Sequence, residues 1–178
     1  MASRKPPARP AAAIPLKQAL KTALLQALEH ALATARAAHQ AAVEGATHEE
    51  ARPENDKDTR GLEQSYLARG HAQRVAELEI GMAAAAAMPA RRFTEEEAIS
   101  VGALVTVVED GARRRFLVAP HGGGLELTLP AEHASRGPIT VLTLTSPLGR
   151  ALVGKRVDDE CELGSGPGVR TLEIAALE

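Results

Sequence analysis

The chain has 178 residues, a formal net charge of -2 from 21 basic and 23 acidic side chains, and only 2% aromatic residues. That length suits one domain or two small ones. The near-balanced charge excludes a general attraction to nucleic acid or to anionic lipid, and no apolar run approaches the ~18 residues of a membrane span. The apolar 44% is rich in alanine, which favours thin helical packing over a large core, because alanine is the best helix former and buries little area.

Residues 1–15 hold Arg4, Lys5 and Arg9 between Pro6, Pro7 and Pro10, which reads as a solvated basic tail. From Leu16 to about Ala46 leucines recur at 16, 20, 24, 28 and 32, and Ala35, His39, Ala42 and Val43 continue the stripe. Pro15 precedes the run, where a missing N–H costs least. The helix is expected to be roughly 45 Å long at 1.5 Å per residue. Residues 47–59 contain Pro53 and a cluster of Asn, Asp and Thr and read as a connection. Asp58 or Thr59 is expected to cap a second helix whose apolar side is Leu62, Tyr66, Val75, Leu78 and Met82, ending near Met88. Two helices of similar length and a short connection imply an antiparallel hairpin, 16–88, with its tip at 47–59.

After Pro89 a polar linker, 89–98, leads into residues 99–178, where the pattern changes to period two. Strands are expected at 104–108, 115–119, 125–129, 160–163 and 169–174, with a turn at Asp110-Gly111 and a hairpin tip at Gly122-Gly123-Gly124. Between them Ser146 fits an N-cap, Pro147 the first helical position and Gly154 a left-handed C-terminal residue. A helix of about two turns is therefore expected, packed through Leu148, Leu152 and Val153. The fold class is α+β: a helical hairpin followed by a small β-rich domain with one short helix. Cys161, the lone cysteine, reads as a buried strand residue and fits a reducing cytoplasm. His39, His48 and His71 have no metal-ligand spacing.

The run Ser146-Pro147-Leu148-Gly149-Arg150-Ala151-Leu152-Val153-Gly154-Lys155, followed by Asp158-Asp159 and a strand, resembles the C-terminal signature of Gre-type transcription elongation factors. Ile99 to Val105 resembles that family's entry into the same domain, and Leu172-Glu173-Ile174 its final strand. The resemblance covers about 99–178 in sequence detail and 16–178 in organisation. It implies an antiparallel coiled coil joined to an FKBP-like lobe, and a cytoplasmic, non-enzymatic accessory to bacterial RNA polymerase. The coiled coil would pass down the secondary channel so that tip carboxylates share a Mg²⁺ with the polymerase and promote cleavage of backtracked RNA. Nascent RNA and DNA would be met only through the polymerase; no membrane, small-molecule substrate or cofactor of its own is implied. An FKBP-like lobe does not bring prolyl isomerase activity with it, because such sites are aromatic-lined.

On this resemblance the tip candidates are Glu50, Glu54, Asp56 and Asp58, with Glu54 and Asp58 as the metal-sharing pair. Ser146, Pro147 and Arg150 are the candidates for polymerase binding. Glu54-Asn55 matches the end of the family's Gly-Asp-Leu-x-Glu-Asn tip, but Ala51 stands where its Asp is expected. Two alternatives follow: a non-cleaving regulator that occupies the same channel, and a helical-hairpin interaction protein unrelated to transcription.

Overall fold

The structure is a computed structural model and describes residues 14–47, 60–164 and 168–178. Helix α1 runs Leu16–Thr47 and helix α2 Arg60–Ala87. Neither holds a proline, and the leucine stripe of α1 is buried: Leu20, Leu24 and Leu28 are at most 1% exposed. The spacing of four drifts by about 40° per step around a 3.6-residue helix, and the change to spacings of three and four at Ala35, His39 and Ala42 brings the stripe back. The two helices pack side by side. Lys21 donates from Nζ to Met88 O at 2.8 Å, and His39 Nδ1 lies 3.0 Å from Ala68 O. Arg36 and Glu79 form an exposed ion pair across the hairpin, a contact that adds little to stability in water.

One helical expectation is corrected. Tyr66 is 77% exposed, whereas Leu78 is buried and Val75 and Met82 pack beside it. Tyr66 lies twelve positions from Leu78, roughly 120° around the helix from it, so it cannot share that face.

The remaining elements form a six-stranded sheet ordered β3-β4-β2-β1-β6-β5. The strands are β1 (Leu104–Glu109), β2 (Ala112–Ala119), β3 (Glu126–Leu127), β4 (Ile139–Thr143), β5 (Glu160–Leu163) and β6 (Arg170–Leu177). Asp110 and Gly111 both have positive φ, 49° and 78°, the backbone of a tight two-residue hairpin turn, and Leu104 faces Leu117 across it. β2 and β4 are parallel, with Arg115 opposite Ile139 and Ala119 opposite Thr143. The crossover between them carries β3 and a 3-10 helix at Ala131–Arg136. This corrects the glycine run. Gly122-Gly123-Gly124 is not a hairpin tip, because β4 inserts between β2 and β3. The expected strand at 125–129 shrinks to two residues, held antiparallel on β4.

The sheet is covered on both faces. On one, Leu104, Leu117, Ala119, Ile139 and Val141 join Leu20, Leu24, Leu28 and Leu78 in a single core, so the base of the hairpin and the sheet are packed together. On the other, Val105, Val107, Phe116, Val118, Leu172 and Ile174 pack with Cys161, Phe93 and the short helix α3 (Pro147–Leu152). The buried strand position of Cys161 is as expected, and burial pushes its thiol up from the usual range.

A buried cation fastens the first turn of α1 to the sheet. Lys17 donates from Nζ to Gly102 O at 2.7 Å and also to Glu178 O. It sits over the Phe93 ring, 5.1 Å from its centre, with the Arg91 guanidinium against the same ring at 4.0 Å. Burial lowers Lys17 from 10.5 to about 8; the Glu178 charge opposes this and Arg91 adds to it. The folded chain therefore holds fewer protons than the unfolded chain between about 8 and 10.5. The cost of a charged Lys17 is fully present below that window and is relieved as pH rises through it. Wild-type stability is thus expected to gain on that of a Lys17→Met variant as pH is raised from 7 to 10. Denaturant titrations of both proteins check this, and a constant difference would refute it.

Candidate functional site

The Ser146 segment reads directly as structure. β4 ends at Thr143 and the chain turns, Ser146 N donating to Thr143 O at 3.1 Å. The Ser146 hydroxyl donates to Thr143 O at 2.8 Å and accepts from Gly149 N at 3.0 Å. It thereby caps α3, whose first residue is Pro147. Arg150 folds back and donates from Nη1 to Thr145 O. Leu152 is fully buried and Leu148 packs beside it. Gly149 is required for another reason: a β-carbon there would overlap Thr143 O and lie 2.9 Å from that residue's carbonyl carbon.

Val153 departs from expectation. It is 42% exposed, because the helix ends at Leu152 and Val153 takes an extended backbone, φ -59° and ψ 134°, that turns its side chain outward. Gly154 has the expected left-handed backbone, φ 80°, and donates to Ile99 O at 3.0 Å.

The three surface candidates therefore separate in kind. Ser146 is half-buried with its hydroxyl engaged on both sides, so it shapes the segment. Pro147 and Arg150 are exposed and available to a partner. Beside them lies a cleft of about 360 Å³ between the hairpin and the sheet, walled by Arg74 and Leu78 of α2, by His121 and Gly123, and by Thr145. The His121 ring lies directly on the backbone of Gly81, where a β-carbon would collide with it. Sequence reasoning missed Arg74, His121 and Thr145 as one group. They come from distant positions and only the packing of α2 on the sheet brings them together.

The tip candidates Glu50, Glu54, Asp56 and Asp58 lie outside the described residues, as does the proposed cap of α2 at Asp58 or Thr59. Among the described residues no group of three His, Cys, Asp or Glu side chains is placed to hold a metal ion, and no helix is long and apolar enough to cross a membrane.

Over 105 residues the chain is 31% identical to the transcription elongation factor GreA of a Bradyrhizobium species. It is similar to a Gre factor. The match covers 59% of this chain and 60% of that protein, so the chain spans less than two thirds of the relative's length. No family model matches. Two solved structures also overlay: GreA factor homolog 1 of Thermus thermophilus, 21% identical over 88% of this chain and 95% of that one, and Gfh1 of Thermus aquaticus, 22% identical over 89% and 96%. Both have a TM-score of 0.34, an overlap too loose to carry an argument.

Proposed function

We propose that this chain is a Gre-like elongation factor that binds RNA polymerase, enters its secondary channel with the α1–α2 hairpin, and stimulates cleavage of backtracked RNA. The observation that carries this reading is the similarity to GreA, in a chain whose Ser146–Lys155 signature folds as a capped surface helix. The geometry is compatible with it. A hairpin of 32- and 28-residue helices is a thin rod, and thin rods suit delivery through a narrow pore. Pro147 and Arg150, exposed at the capped turn, are the groups we assign to the polymerase contact. The tip carboxylates Glu50, Glu54, Asp56 and Asp58 would add oxygen ligands to a Mg²⁺ that the polymerase holds weakly, and the chain itself would act as an accessory to the polymerase's chemistry.

A specific observation favours a second reading, a non-cleaving regulator of the same channel. Ala51 replaces the acidic residue of the family's tip, which leaves Glu54 without its usual partner three positions away.

Stalled, backtracked elongation complexes with Mg²⁺ separate the two. Faster release of short 3′ fragments is expected on adding the chain, and loss of that stimulation with retained polymerase binding is expected for the triple variant Glu54→Ala, Asp56→Ala, Asp58→Ala. Full stimulation by the triple variant would refute the metal role. Binding without any stimulation would establish the regulator, and no binding would remove the transcription reading.

A further inference from the structure

Five arginines surround the β1–β2 hairpin and are used unequally. On the face of the sheet that carries α3, Glu109 is only 9% exposed in its side chain and is paired with Arg114 and with Arg170. On the other face, Arg136 is paired with Glu178 at 2.6 Å. Arg113 and Arg115 also lie on this second face, because alternate strand residues share a side; they stand opposite Val108 and Thr106. Among the described residues neither has a carboxylate partner. Their α-carbons are roughly 6.6 Å apart along the strand. Arg113 is exposed and Arg115 half-buried, its guanidinium lying near Gly137, where an added β-carbon would stand 3.8 Å from Nη1. With Arg136, Pro138 and Thr140 they wall a cleft of about 420 Å³.

We propose that this cleft is a docking site for a short acidic segment of a partner protein, whose carboxylates pair with Arg113 and Arg115. The planar fork of arginine matches a carboxylate with two parallel hydrogen bonds. Nucleic acid fits the site less well. Two unpaired guanidinium groups neutralise about two phosphates, against the 6–10 that give phosphate-driven binding its strength. Among the described residues the one aromatic side chain at the cleft, Phe116, is buried at 8% exposure and offers no platform for stacking bases. Glu126, which also lines the cleft, repels a continuous polyanion more than a segment in which acidic and neutral residues alternate. The inference stands apart from the polymerase reading, since it rests only on the charge pairing of the two sheet faces.

Fluorescence anisotropy of a labelled peptide alternating Glu and Ser, run beside a labelled DNA oligonucleotide and an RNA oligonucleotide of similar length, tests it. The full chain is expected to bind the peptide with an affinity that falls as salt rises. The double variant Arg113→Gln, Arg115→Gln is expected to weaken that binding about tenfold, since each exposed ion pair lost is worth roughly a factor of three to five. Arg170→Gln, on the opposite face, is expected to leave it unchanged. Circular dichroism establishes that the variants fold; should the double variant not fold, Arg113→Gln alone, at an exposed position, is expected to give a severalfold loss. Equal binding by wild type and variant, preference for either oligonucleotide, or no peptide binding by the wild type would overturn the proposal.

Discussion

Gly149→Ala is expected to lower the stability of the folded chain by about 3 kcal/mol or more, at the upper end of the usual cost of overpacking. The added methyl group would occupy the space of the Thr143 carbonyl. A backbone oxygen at the end of a central strand cannot swing aside as a side chain can, so either β4 or α3 must shift. A shift of α3 breaks the Ser146 cap and pulls Leu152 from the core that also holds Cys161, Leu172 and Ile174. Thermal and urea unfolding measure the loss. Gly154→Ala supplies the comparison. That position has a left-handed backbone but open space around it, so its cost is strain alone, on the order of 1 kcal/mol. Similar losses for both would show that the close approach at Gly149 is not what fixes the residue.

Leu24→Ala is expected to cost about 3–4 kcal/mol, within the range for removing a buried leucine. Leu24 is fully buried and lies where hairpin and sheet meet. Its core includes Leu117, Ile139 and Val141, and a β-carbon on Gly122 would lie 3.2 Å from Leu24 Cδ1. The substitution is therefore expected to loosen the helices and the sheet together. Helical circular dichroism and protection of the β2 and β4 amides should fall in one transition at lower denaturant. Loss of the helical signal alone, with the strand amides still protected, would show that the two parts hold together without this core.

The helices were legible because their evidence is local. A leucine every fourth position, a proline just before Leu16 and none within the run specify α1 without reference to the rest of the chain. The α3 segment was legible for the same reason, since a cap, an N-terminal proline and a C-terminal glycine all act within ten residues. Strand β4 was not recognised, although Ile139, Thr140 and Val141 are good strand formers. Its partner β2 lies beyond a long crossover, and a parallel pairing leaves no turn signal between its two strands. Tyr66 was misplaced because an aromatic residue in a helix suggests burial, while helical phase decides it. Among the site candidates, the geometry explains Ser146 as a cap and leaves Pro147 and Arg150 exposed. The acidic tip at Glu50, Glu54, Asp56 and Asp58 rests on the sequence alone.

By itself the sequence determined the α+β class, the helical hairpin, the capped Ser146–Gly154 turn and the resemblance to Gre factors, since each depends on spacing within a short window. Tertiary structure alone decided the parallel insertion of β4 beside β2, the shared core around Leu24, the burial of Lys17 against the Phe93 ring, and the pairing of Glu109 with Arg114 and Arg170. Those features depend on which distant residues meet, and that is settled chiefly by the burial of apolar area in the folded chain.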